Sequence, residues 1–146
     1  ETYLLLAFSP ELEVLGKQIR DAGITTPITS IESFELSEQR DLFEGEWYVN
    51  SADPTAEFTN SFRAVADKAP TLGAANAYDI FNLIVAATEN VPGRTKPTTD
   101  QVVTELMNIT DYQGVLGVLS INDQGLVISQ AAVRMIQNGE PVTVTE

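Results

Sequence analysis

Residues 3 to 34, YLLLAFSPELEVLGKQIRDAGITTPITSIESF, place an apolar run, an amphipathic segment and a second apolar run in succession. That order leaves few folds open, because two strands joined through a helix pair in parallel within one sheet. Tyr3 to Phe8 is almost unbroken in its apolar character, as expected of a strand buried on both faces. Ser9 is placed to cap the helix, Pro10 suits its first turn, and Glu11 and Glu13 complement the positive end of its dipole. Leu12, Leu15, Ile19 and Ala22 recur at helical spacing, and Gly23 closes the segment. Ile24 to Ser33 then returns through Pro27 to the second strand. The unit predicts an α/β fold with three layers, a mostly parallel sheet flanked by helices. Its core is expected to hold Leu4, Leu5, Leu6, Leu15, Ile19, Phe81, Ile84 and Leu106. Phe8, Ser9 and Glu32 fall near the carboxyl ends of adjacent strands, the rim at which open α/β sheets bind ligands.

Further along, Ser37 to Phe43 reads as a short helix capped by Ser37, and Glu46 to Asn50 as a strand with Trp47 and Val49 on one face and Tyr48 on the other. Asp53 and Pro54 supply a cap and first-turn proline for a helix striped by Phe58, Phe62 and Val65, which Ala69 and Pro70 stop. Residues 72 to 90 form the longest helix, apolar on most sides through Ala77, Ile80, Phe81, Ile84 and Val85, and so expected to be deeply packed. VPGRTKP at 91 to 97 is a loop. Thr98 and Gln101 have the spacing of a capping box for a helix that turns Val102, Val103, Leu106 and Met107 inward. The tail changes period, with strands at Val115 to Ile121, Val127 to Ile136 and Val142 to Val144. They are separated by an Asn122-Asp-Gln-Gly turn and an Asn138-Gly139 hairpin turn.

The charge balance restricts the partners. With 21 acidic residues against 8 basic ones and a formal net charge of -13, the chain has no basic cluster to displace counterions from a nucleic acid or to face an anionic membrane. Excess acid serves solubility or attracts cationic ligands, and both readings stand. There is no cysteine and no histidine. This removes disulfides, thiol nucleophiles, Ser-His-Asp triads and the usual zinc sites. No metal site, cofactor or catalytic residue is expected, and the chain is read as a non-enzyme. No apolar segment has the length of a membrane span. The chain opens directly on a strand with no signal sequence, from which we expect a preceding segment to have been removed. The glycines around Gly114-Val-Leu-Gly117 lack the spacing of a dinucleotide loop, and Asn108-Ile-Thr is a short glycosylation pattern of little weight.

Several of these stretches resemble, in order, parts of one family. AFSPE at 7 to 11, RDAGI at 20 to 24, ITSIES at 28 to 33, GEWYVN at 45 to 50, AANAYDIFNLIVAATENV at 74 to 91, YQGVLGVLSINDQG at 112 to 125 and VRMIQNGEPV at 133 to 142 are similar to the C-terminal portion of type I periplasmic solute-binding proteins. The branched-chain amino-acid receptors of ABC transporters are the nearest group. The resemblance implies two α/β lobes, with residues 1–53 in the second lobe, 54–129 in the first and 130–146 returning to the second, or one compact domain 1–146 in isolation. It implies an extracytoplasmic component of an importer, periplasmic or extracellular, that closes its lobes on an amino acid or related small amine and hands it to an ABC permease. Glu32 would grip the ligand's ammonium group and Phe8 would stand where relatives carry an aromatic side chain, with Tyr48, Ser30 and Ser33 nearby. For each there is a plainer reading: a solvated strand-end glutamate, core aromatics, and hydroxyls that satisfy the backbone. Trp47 and Tyr78 are aromatic candidates of lower standing. Two other functions remain open, a ligand-sensing domain of a regulatory system and a free-standing α/β interaction domain that forms a homodimer.

Overall fold

A computed structural model describes residues 1–93 and 95–144 of the chain; Arg94, in the expected loop at 91 to 97, lies outside the described residues. The chain divides into two compact units, Glu1–Asn50 with the chain from Ala131 onward, and Ser51–Gln130.

The first unit is built on a five-stranded sheet. Strand β1 (Tyr3–Leu5) leads into helix α1 (Glu11–Asp21), then strand β2 (Ile28–Ile31), a single helical turn α2 (Ser33–Leu36), a 3-10 turn at Arg40–Phe43 and strand β3 (Trp47–Ser51). Strands β7 (Ala131–Gln137) and β8 (Glu140–Thr143) complete the order β1-β2-β3-β7-β8. The pairs β1-β2 and β2-β3 are parallel. A parallel bridge between Glu44 and Ile136 brings β7 beside the start of β3, and β8 is added antiparallel at the edge. The sheet is therefore mostly parallel and flanked by helices, as the strand-helix-strand order predicts. Asn138 and Gly139 both have positive φ, 54° and 72°, in the two-residue turn between β7 and β8. This is the conformation that matches hairpin twist.

Alternation along the strands divides this sheet into two unlike faces. On one, Leu5, Ile28, Tyr48 and Ile136 pack with Leu12 and Ile19 of α1 and with Phe34, Leu42 and Phe43. Phe34 stacks on Phe43 at 4.4 Å between ring centroids and meets Tyr48 edge-on at 6.0 Å. The other face carries Leu4, Leu6, Ile31, Trp47 and Val133, all exposed. The expected burial of β1 on both faces therefore fails: β1 is an edge strand with one partner, β2, and only one of its faces meets α1. Of the expected core, Leu4, Leu6 and Leu15 are exposed, while Leu5 and Ile19 are partly buried. Local boundaries also move. Helix α1 starts at Glu11 with Pro10 before it, and the Ser9 hydroxyl donates to the Glu13 side chain instead of capping the backbone. The expected helix from Ser37 to Phe43 is only a 3-10 turn at Arg40–Phe43, which Ser37 does not cap, and α2 precedes it at Ser33–Leu36.

In the second unit, α3 (Ala56–Ala66), α4 (Leu72–Asn90) and α5 (Thr99–Met107) precede an antiparallel three-stranded sheet, β4 (Tyr112–Gly114), β5 (Gly117–Ile121) and β6 (Val127–Ile128). The cap of α3 is Thr55, whose side chain accepts from Phe58 N–H, so the expected Asp53 cap is displaced by two residues. The capping box of Thr98 and Gln101 is present. Leu83 and Ala87 of α4 form the core with Ile109 and Leu119, joined by Val102, Leu106, Tyr112 and Ile121. Helix α4 is not deeply packed on most sides. It buries the stripe Ala75, Asp79, Leu83 and Ala87 and leaves Ile80, Phe81 and Ile84 open, since α5 and the sheet cover one face only. Val103 and Met107 are likewise exposed, not inward. The expected strand Val127 to Ile136 is split between β6 and β7, which belong to different units.

Candidate functional site

Parallel strands deliver Phe8, Ser9, Glu32 and Ser33 to one end of the first unit's sheet, beyond the carboxyl ends of β1 and β2. Phe8 is 59% exposed there. Glu32 is partly exposed and has φ 50°, a left-handed conformation at the junction of β2 and α2. A glutamate in that region carries about 1–2 kcal/mol of steric strain, which persists only where the surroundings hold it. Several contacts do so. Glu32 N–H donates to the Val49 carbonyl at 2.9 Å, continuing the β2-β3 ladder, and Glu35 N–H donates to the Glu32 carbonyl at 3.1 Å. The Ser30 hydroxyl donates to the Leu5 carbonyl at 2.8 Å and lies 2.7 Å from the Ser33 hydroxyl, which in turn donates to the Ile31 carbonyl at 2.9 Å. Both serines are buried, and their hydroxyls tie the strand ends to each other.

A cluster of polar groups gathers on the turn that follows Glu32. One carboxylate oxygen of Glu35, on α2, accepts from Tyr48 Oη at 3.0 Å, from Asn50 Nδ2 at 2.9 Å and from Arg134 Nη1 at 3.3 Å. Arg40 Nε donates to the Glu35 backbone carbonyl at 3.0 Å. Tyr48 is fully buried, and burial followed by the nearby Glu35 charge pushes its hydroxyl above the usual tyrosine range, so it serves as a fixed donor. Nothing local in the sequence marks this cluster, because Glu35 and Arg134 are 99 residues apart.

Glu13, on the first turn of α1, is also buried and accepts from the Ser9 and Ser37 hydroxyls. Burial raises its carboxyl pKa, but the hydrogen bonds from Ser37, Ser9 and backbone amides together outweigh burial and leave it below its ordinary value. It was expected at the helix start for its charge alone; the structure uses it to join α1 to the segment after α2.

The second unit has a separate open groove of about 660 Å³, lined by Phe58, Phe62, Tyr78 and Tyr112 with Asn82 and Thr55. At its base the buried Asp79 carboxylate accepts from Val115 N–H at 2.8 Å and Leu116 N–H at 3.0 Å, clasping the turn between β4 and β5. A Cβ on Gly114 would lie 2.6 Å from that carboxylate, so the clasp requires glycine there. Of the aromatic candidates, Tyr78 lines this groove, whereas Trp47 stands on the open face of the first unit's sheet. Among the described residues no group of three or more acids, histidines or cysteines could hold a metal ion, and no helix is long and apolar enough to cross a membrane.

No protein-family model and no curated protein matches the sequence. Solved structures do match it. A leucine-binding protein, LivK, of Thermotoga maritima superposes with a TM-score of 0.82 at 20% identity, over 99% of this chain and 43% of its own. The branched-chain amino-acid transporter substrate-binding protein LivJ of Streptococcus pneumoniae, solved with isoleucine, gives 0.73 at 21% identity over 98% and 44%. A solute-binding protein of an R. palustris ABC transporter, solved with benzoate, gives 0.72 at 15% identity over 98% and 42%. The chain therefore has, in part, the type I periplasmic-binding-protein fold, and it spans less than half the length of these solute-binding proteins.

Proposed function

We propose that this chain is part of an extracytoplasmic solute-binding component of an ABC importer, one that binds an amino acid or related small amine by lobe closure and passes it to a membrane permease. In this reading residues 1–53 and 130–146 belong to one lobe and 54–129 to the other. Binding here is stoichiometric and needs no cofactor; closure is driven by the ligand's extra contacts with the closed state. Glu32 accepts a hydrogen bond from the ligand ammonium, and Phe8 gives an apolar or cation-π surface. Tyr48, Ser30 and Ser33 belong to the same site, with their hydroxyls turned to holding the rim in shape. The observation that carries the reading is the strained, partly exposed Glu32 at the carboxyl end of a parallel strand. Its location matches the ligand rim of open α/β sheets.

Calorimetric titration of the longest natural polypeptide containing these residues, with a panel of amino acids and matched acids lacking the amino group, tests it. The unaltered protein should prefer the amines, and Glu32→Gln should lose about 2–5 kcal/mol of binding, roughly thirtyfold or more in affinity, with most of that preference. Equal affinity for both ligand series in the unaltered protein would remove Glu32 from the site.

A further inference from the structure

We infer that Glu35 is a positioning residue for Glu32: it touches no ligand, but anchors the helical turn that holds Glu32 in its left-handed conformation and so sets the site's selectivity for an amine. The inference rests on the proposed role of Glu32. Helix α2 is one turn long, Ser33–Leu36, too short to be stable by its own hydrogen bonding. Contacts outside it must fix it: Phe34 packs one side of the turn into the core, and Glu35 ties its polar side to the sheet. Its carboxylate reaches Tyr48 and Asn50 on β3 and Arg134 on β7, two strands of the same sheet, while its backbone N–H closes the turn on the Glu32 carbonyl. The partners are themselves held. Tyr48 is 0% and Asn50 5% exposed, and Arg134 is 9% exposed. One partly buried acceptor thus gathers three buried donors from the sheet onto the turn that begins at Glu32.

The physical consequence follows from strain. A non-glycine residue at φ 50° relaxes to negative φ once its flanking structure loosens. Rotation of the backbone at Glu32 redirects its side chain, and a displacement of about 1 Å is enough to cost a well-placed polar contact much of its value. Removing the Glu35 carboxylate should therefore weaken recognition of the group that Glu32 binds and leave the ligand's apolar contacts unchanged. A merely structural glutamate would weaken both.

The test is a double-mutant cycle in the longest natural polypeptide that contains these residues, using L-leucine and 4-methylpentanoate, its analogue without the amino group. Glu35→Ala should lower leucine affinity by about tenfold or more, Glu35→Gln, which keeps an acceptor for Tyr48 and Asn50, by less, and neither should change the affinity for 4-methylpentanoate. In a Glu32→Gln background the Glu35 substitutions should have almost no further effect on leucine. If Glu35→Ala does not fold, judged by circular dichroism, the cycle with Glu35→Gln decides. A leucine loss that persists undiminished in the Glu32→Gln background, an equal loss for both ligands, or no loss at all while Glu32→Gln alone is damaging would overturn this inference and leave the role of Glu32 standing. No effect of Glu32→Gln on leucine, or no leucine binding by the unaltered protein, would overturn both.

Discussion

At the scale of single residues, Glu13 and Gly114 show how close packing turns unremarkable letters into requirements. The Glu13 carboxyl lies below its ordinary value of 4.5 despite burial, because hydroxyl and amide donors face it. With a folded-state pKa lower than the unfolded one, its contribution to stability is complete above the unfolded value and is lost as pH falls through the folded one. Urea unfolding should show Glu13→Gln less sensitive than the unaltered chain to acidification below about pH 4.5. Glu13→Ala, which strips the Ser9 and Ser37 hydroxyls of their acceptor, should cost about 1–3 kcal/mol at neutral pH. An unchanged acid dependence in Glu13→Gln would mean those hydrogen bonds are not formed. Gly114→Ala forces a Cβ to within 2.6 Å of the Asp79 carboxylate, which is pinned by two amides. The expected loss is about 1–3 kcal/mol, with the shift largest in the amide exchange of Val115 and Leu116.

Elements are where local pattern and tertiary packing part company. Helix α4 offers apolar residues on two faces, at Leu83 and Ala87 and at Ile80, Phe81 and Ile84, and the unit covers only the first. In the 146-residue chain, diluted until it is monomeric, Leu83→Ala should therefore cost about 2–5 kcal/mol, whereas Phe81→Ala should stay within about 0.5 kcal/mol. Chemical denaturation of the two variants measures this directly, and a large cost at Phe81 would show that its face is covered in solution. The β7-β8 hairpin makes the complementary point. Gly139 combines φ 72° with an Asp41 carboxylate oxygen 2.8 Å from where a Cβ would lie. Substitution by alanine should thus destabilise the hairpin by about 1–2 kcal/mol or more, read as faster amide exchange in β8.

On the scale of the whole molecule, each unit exposes apolar side chains, the first on its open sheet face with Leu4, Leu6, Ile31, Trp47 and Val133, the second on the Ile80, Phe81 and Ile84 stripe of α4. Surfaces of this kind associate unless something covers them. The isolated chain should sediment with a concentration-dependent mass, and Phe81→Glu with Ile84→Glu should reduce that association without lowering stability. A monomer at every concentration would count against it. The net charge of -13 opposes self-association at low salt, so raising the salt concentration should strengthen it.

The amino-acid sequence by itself determined the strand-helix-strand opening, the parallel pairing that follows from it, the capping box at Thr98 and the Asn138-Gly139 turn. These depend on spacings of a few residues, which side-chain periodicity and backbone preference record directly. Glu32 and Phe8 could be placed at the strand ends by the same reasoning. What tertiary structure alone decided is which apolar face is covered and which polar groups meet. Leu4, Leu6, Phe81 and Ile84 have the composition of core residues, yet burial depends on what lies opposite, and a sequence window holds no record of that. The Glu35 cluster draws on β3 and β7, and Glu13 reaches Ser37 across 24 positions, so no local pattern announces either. Only chain topology brings such donors to one carboxylate, and low exposure then makes each of those hydrogen bonds matter.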